Sequence, residues 1–259
     1  MAVALALIQH DPRGLLFDQT VRVLPQLQQT FGDIAVYANV ATDPQSLAYL
    51  TQHGVRVKAE AIEEGYGVIG KFRRAAVEFA LQDSCPFMIY CDFDRILHWM
   101  EFYPEELHRV AQQIVQFDFT ILGRTARAFA THPRSQRDTE AIINHVFERI
   151  SNRARDTGAG ARGLSRRAAE AIVSDCRDDA ISNDVTWPLW LQQRSDFSLG
   201  YLETEGLEFE TPDRFLAEVA RAGGVAQWSE QIDDDVQNWA TRLELARIEV
   251  AAMIPFARS

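Results

Sequence analysis

The sequence has 259 residues, 47% hydrophobic and 24% charged, with a formal net charge of −11. That length and mix suffice to bury a full α/β core, which excludes a disordered chain. The acidic balance offers no electrostatic footing for a nucleic-acid backbone and excludes nucleic acid as the expected partner. A small anionic ligand, held by local donors and a divalent cation, stays open.

Cys85, Cys91 and Cys176 are an odd set without metal-type spacing, and read as reduced core thiols. The start, MAVALALIQH, is too short and lacks the basic flank of a signal peptide, so it reads as a buried strand. No apolar run approaches the roughly 20 residues of a membrane span. The expected location is cytoplasmic.

Short apolar runs alternate with amphipathic stretches, the pattern of a mostly parallel open sheet with helices on both faces. A strand is predicted over residues 3–9, ending in His10-Asp11-Pro12-Arg13-Gly14, and a helix over 17–31. A second strand covers 33–40 and ends in Ala41-Thr42-Asp43-Pro44, a helix start; a short helix spans 46–53 and a third strand 55–59. EEGYGVIGKFRRAAVEFALQ is a glycine-bearing loop leading into a helix. PFMIYC (86–91) carries the strongest strand signal and stops at Asp92-Phe93-Asp94. A helix over 104–116 and a fifth strand over 118–123 follow.

Beyond this the order changes. Residues 124–137 read as irregular, 139–149 as a helix, 158–163 as a glycine-rich loop and 165–173 as a helix. Residues 183–193 read as a helix, 197–210 as one or two strands, and 236–253 as a terminal helix with apolar positions at helical spacing. No linker divides the chain, so a single domain over 1–259 is expected. Its nucleotide-binding half would be 1–123, its acceptor and catalytic half 124–215, and its C-terminal helix 236–253.

Asp92 and Asp94 follow the most buried strand. Residues i and i+2 of an extended segment point the same way, so both carboxylates are expected on one patch outside the carboxyl end of the sheet. Two such groups resist joint ionisation unless a cation lies between them, and Mn²⁺ or Mg²⁺ sharing its shell with pyrophosphate oxygens meets that need. The plainer alternative is that Asp92 caps a turn and Asp94 pairs with Arg95.

Two further groups qualify from the residues alone. Gly67, Gly70, Lys71 and Arg74 stand at a helix start, where glycines and free N–H groups admit phosphate. The spacing is not that of a P-loop, and a solvated basic face explains it as well. His10, Arg13 and Asn39 close the first two strands, where a nucleotide would lie; turn chemistry is the alternative. Trp187 and Trp190 read as core, and the run Asp233-Asp234-Asp235 as solvated or as a cap of the last helix.

MIYCDFDR resembles the hydrophobic strand plus DXD motif of GT-A fold glycosyltransferases. GVIGKFRRAAVEFAL is similar to the nucleotide-holding segment before that motif in family-2-like enzymes. GAGARGLSRRAAEAI resembles the loop and helix before the catalytic acid, and NDVTWPLWLQQR the ED-type helix. The resemblance spans about residues 3–215. It departs at the first strand, which lacks a proline-threonine turn, at Ala38-Asn39 in place of serine-aspartate, and at Asn183 in place of glutamate.

The resemblance implies a transferase moving a sugar from a nucleotide-diphosphate-sugar donor to an acceptor that the sequence does not name. It implies Asp184 as general base, with helix capping as the bland alternative. It places Gly160 at the donor and Asp213 as a further metal ligand, with His132 an outside candidate. A nucleotidyltransferase on a related sheet and a non-catalytic nucleotide or sugar binder are the competing classes, and a homodimer is compatible with each.

Overall fold

The computed structural model describes residues 2–257. Its strands are β1 (Val3–Gln9), β2 (Asp33–Asn39), β3 (Arg56–Glu60), β4 (Phe87–Asp92), β5 (Phe119–Arg124), β6 (Ala161–Ser165) and β7 (Leu199–Thr204). They form one sheet in the order β3-β2-β1-β4-β6-β5-β7. All neighbours are parallel except β6, which runs antiparallel to β4 and to β5.

The helices of the first half are α1 (Phe17–Thr30), α2 (Pro44–Gln52), α3 (Ile69–Ala80), α4 (Phe93–Phe102) and α5 (Pro104–Gln113). Those after β5 are α6 (Ala126–Ala130), α7 (Arg134–Ser151), α8 (Arg166–Asp175), α9 (Asn183–Gln193), α10 (Leu216–Ala222), α11 (Val225–Asp234) and α12 (Val236–Ala252). No helix among the described residues is long and apolar enough to cross a membrane.

The strands sort their side chains by the period of two. Val3, Leu5 and Leu7 of β1 join one core with α1, α2, α4 and α5. Ala4 and Ala6 join the other core, with α3, α7, α8, α9 and α12. Burial on both faces explains why β1, β2, β4 and β5 read as continuous apolar runs. The three cysteines are free and buried, and Trp187 is fully buried in the second core.

Turn chemistry sets the joints. The Asp43 carboxylate accepts from Ser46 N at 2.8 Å and Pro44 stands in the first turn, which starts α2. The buried Asp11 carboxylate accepts from Leu15 N and Leu16 N at 3.1 and 2.8 Å, which folds the His10–Gly14 turn back over the start of α1. Asp233 accepts from Arg134 N and Ser135 N at the start of α7, and Asp235 from Gln237 N at the start of α12.

The structure differs from the sequence expectations at several places. Half of the supposed glycine-rich loop at 158–163 belongs to β6, deep in the sheet. Gly163 is there because a Cβ would lie 2.6 Å from Ile114 Cγ2, not because the chain turns. The irregular stretch 124–137 contains α6 and the start of α7. Helices α4, α10 and α11 were not foreseen. Only one strand forms within 197–210: the Glu106 carboxylate takes Glu205 N and Gly206 N, both at 2.9 Å, so those donors are lost to any ladder.

The N-terminal turn of α3 packs on the segment before α9. Lys71 N donates to Asp179 O at 3.0 Å and Ile181 N to Tyr66 O at 2.7 Å. A Cβ on Gly70 would overlap the Ala180 carbonyl oxygen, a backbone atom that cannot step aside. Gly70→Ala is therefore expected to destabilise the fold by about 2 kcal/mol, read as a lower urea midpoint at unchanged slope.

Candidate active site at the β1–β4 crevice

After β1 the chain moves outward through β2 and β3, then returns to place β4 on the other flank of β1. Such a reversal leaves a crevice at the carboxyl ends of the strands. A cavity of about 350 Å³ lies there. Ile8, Gln9 and His10 from the end of β1, Asn39 from β2 and Asp92, Phe93 and Asp94 after β4 line it. The loop 62–66, Leu16, Ile69, Phe72 and Arg214 close its sides.

The lining combines apolar side chains, Ile8, Leu16, Ile62, Ile69 and Phe72, with charged ones. Its carboxylates are Glu63, Glu64, Asp92 and Asp94, faced by the guanidinium of Arg214 and by His10, whose Nε2 is 3.3 Å from Glu64 Oε1. The surplus is negative, so an anionic ligand could enter only with a cation beside it.

Asp92 and Asp94 both reach this cavity, though not by the expected route. Phe93 begins α4, so Asp92 is the residue before the helix and Asp94 lies in its first turn; the extended i, i+2 geometry does not apply. Asp92 is pinned: its Oδ1 accepts from Tyr90 Oη at 2.5 Å and its Oδ2 from Arg73 Nη2 at 3.1 Å. Asp94 is held loosely, with Arg95 N at 3.0 Å and Arg214 Nη1 at 3.4 Å. Burial first, then the Glu210 and Asp92 charges, push Asp94 up to about 6, against the pull of Arg95 and Arg214.

Arg73, which the sequence reading passed over for its neighbours, organises the site. Its side chain is 4% exposed and bonds Asp92, Asp184 Oδ2 at 2.8 Å and Asn183 Oδ1 at 3.1 Å. Arg162 Nη2 reaches the other Asp184 oxygen at 2.9 Å. Asp184 thus sits between two buried arginines and does not line the cavity. Both of its oxygens are committed to guanidinium groups, and neither is presented to the cavity. The geometry gives the general-base expectation no support and makes Asp184 the keystone of an ion-pair chain.

Other expected site residues scatter. Lys71 is exposed; Arg74 bonds Asp178 O and the Asp179 carboxylate, away from the cavity. Arg13 is exposed in its turn and lines nothing. Asn39 does line the cavity, and its amide ties Ile62 O at 3.0 Å and Ala41 N at 3.0 Å. Gly160 has φ +62°, and a Cβ there would lie 2.7 Å from Asp92 Oδ2, so it serves close approach to Asp92.

Asp213 lies outside the cavity lining. Its Oδ2 bonds His98 Nδ1 at 2.8 Å and Gln19 Nε2 at 2.9 Å, which ties the segment after β7 to α4 and α1. His132 is buried beside Arg124, also away from the cavity. Among the described residues, no group of three or more His, Cys, Asp or Glu is arranged to hold a metal ion. The nearby Glu210, 6% exposed with an unpartnered Oε2, was missed because nothing in TEGLEFE marks it.

No protein-family model and no curated protein matches the sequence. Solved structures do. Glucosyl-3-phosphoglycerate synthase from Mycobacterium tuberculosis, in complex with Mn²⁺, uridine diphosphate and phosphoglyceric acid, matches with TM-score 0.53 at 12% identity, over 88% of this chain and 78% of that one. The same enzyme with Mn²⁺, UDP-glucose and glycerol 3-phosphate matches with TM-score 0.52 at 11% identity, over 94% and 80%. These likenesses show the fold: the chain has the mixed α/β fold of the GT-A glycosyltransferases.

Two outcomes follow from the geometry. Asp184→Asn leaves Arg73 and Arg162 short of a buried counter-charge and is expected to destabilise the fold by about 3 kcal/mol or more, measured by urea denaturation. Burial alone would lower the His98 pKa, but the hydrogen bonds to Asp213 and Glu208 and the charges of Asp213 and Glu210 outweigh it and raise it. A raised pKa contributes stability that is full below about pH 6.5 and fades as pH climbs through the folded value. Between pH 6 and pH 9 the wild type should lose stability that His98→Gln does not lose, in paired urea titrations.

Proposed function

We propose that this protein is a glycosyltransferase that binds a nucleotide-diphosphate-sugar with Mn²⁺ or Mg²⁺ in the β1–β4 cavity and passes the sugar to an acceptor hydroxyl. The observation that carries the reading is Asp94: a carboxylate facing a 350 Å³ cavity, raised to about 6, with one loose cationic partner there. A carboxylate in that position has a strong electrostatic demand for a cation. The GT-A fold, and the Mn²⁺ and uridine diphosphate bound by a structural neighbour, point the same way.

The donor set fits a hard ion. Asp94 would be the direct ligand, and Asp92, already oriented by Arg73 and Tyr90, would support it from beside. When bound, the cation would neutralise the charge that gathers on the departing diphosphate. The protein's own groups do the rest. The apolar lining residues, Ile8, Leu16, Ile62, Ile69 and Phe72, would take the flat base out of water. Asn39 fixes the loop that covers it. His10 and Arg214 supply donors at the phosphate end. In the transfer, the bond from the anomeric carbon to the diphosphate breaks, the acceptor oxygen forms the new bond to that carbon, and the hydroxyl proton passes to the departing diphosphate or to water.

A thermal-shift panel of nucleoside diphosphates with and without Mn²⁺ tests this reading. A ligand at a hundredfold excess over its Kd should stabilise by about 2.7 kcal/mol, a rise of about 5 °C or more for a chain of this size, and only with metal. Asp94→Asn should abolish that rise while keeping or slightly raising the ligand-free melting point, since its ionised form is disfavoured in the fold. A full metal-dependent shift in Asp94→Asn would overturn the assignment.

A further inference from the structure

Among the residues that line the cavity, Arg214 brings the only guanidinium, against the carboxylates of Glu63, Glu64, Asp92 and Asp94. Its hold is loose. Nη1 is 3.4 Å from Asp94 Oδ2, Nη2 is 3.5 Å from the His10 carbonyl oxygen, and Nε is buried without a partner. These contacts lie at the outer limit of hydrogen bonding, whereas Arg73 meets its carboxylates at 2.8 and 3.1 Å. Arg214 therefore faces Asp94 by charge more than by fitted geometry.

The segment that carries Arg214 is tied down through a neighbouring side chain. The preceding residue, Asp213, is held by His98 and Gln19 at 2.8 and 2.9 Å. A fixed anchor carries a side chain that is 25% exposed and has donors to spare. That combination suits a group with two positions.

We propose that Arg214 is the stand-in counter-ion of Asp94, displaced from it by an incoming divalent cation and thereby freed to grip the phosphate oxygens of the ligand. This rests on the reading of the cavity as a cation and nucleoside-diphosphate site. A divalent ion and a guanidinium on one half-buried carboxylate repel each other, so one must yield. A guanidinium released a few ångströms away matches two phosphate oxygens with its planar fork. The two roles have opposite signs: Arg214 opposes the metal alone and favours the metal with its diphosphate.

The test is Mn²⁺ titration followed by the electron paramagnetic resonance signal of free Mn²⁺, with uridine diphosphate affinity measured separately at saturating Mn²⁺. Arg214→Gln should bind Mn²⁺ alone about tenfold more tightly than wild type, and uridine diphosphate about tenfold more weakly. Arg214→Lys keeps the charge, so its Mn²⁺ affinity should stay near wild type while its uridine diphosphate affinity falls between the two. Equal Mn²⁺ affinity in wild type and Arg214→Gln, both folded by their melting curves, overturns the inference and leaves the cavity reading intact. A wild type that binds neither Mn²⁺ nor uridine diphosphate brings down both.

Discussion

The site depends on a chain of buried charges that runs from the sheet edge into the second core: Asp92 to Arg73, Arg73 to Asp184, Asp184 to Arg162. Buried ions are costly to desolvate and are tolerated when each finds close partners. Arg73 stacks two carboxylates and the Asn183 amide around one guanidinium, while Arg162 also bonds the Thr157 and Ala161 carbonyls at 2.6 Å. The chain links α3, β4, α9 and β6. It thereby fixes where β4 ends and how the Asp92 carboxylate leaves it. Such a network adds little net stability over an apolar core, but it makes any other placement of Asp92 expensive.

From that fixed point the cavity has a rigid side and a yielding side. Asp92 is held by Tyr90, Arg73 and the close backbone of Gly160. Two residues on, Asp94 meets the cavity with weak partners and a raised pKa. The same cavity is lined by Arg214, on the segment tied down through Asp213, and by the loop 62–66, fastened at Asn39. One carboxylate oriented in advance and one left undercompensated is a sound arrangement for an ion that arrives with its ligand, because orientation is provided beforehand and the charge demand is left for the ion to meet.

Much of the parallel half was legible. Val3–Gln9 and Asn183–Gln193 match the expectations to the residue, because a doubly buried strand and a helix with a polar start are local patterns. What lay beyond the sequence was non-local. β6 reads as part of a glycine loop because its one glycine, Gly163, answers to Ile114 and Thr120, distant in sequence. EGLEFE alternates like a strand, yet Glu106 captures its amides. In the site, the Asp92-Phe93-Asp94 pair was visible as chemistry, but its route to the cavity was not, since nothing local shows that α4 starts at Phe93. Lys71 and Arg74 stand out at a glycine-bearing helix start, while nothing local marks Arg73, whose buried partners lie up to 111 residues away, in Asp184. Asp213 had the right residue type and stands next to the residue, Arg214, that enters the cavity.

The central claim is that a divalent cation and a nucleoside diphosphate meet at the end of β4. Anomalous scattering from crystals grown with Mn²⁺ and uridine diphosphate addresses it most directly. The account predicts one strong manganese peak touching an Asp94 oxygen, with the diphosphate beside it and the base toward Ile8 and Phe72. A manganese peak elsewhere, or a nucleotide seated away from this crevice with Arg214 still on Asp94, would contradict it.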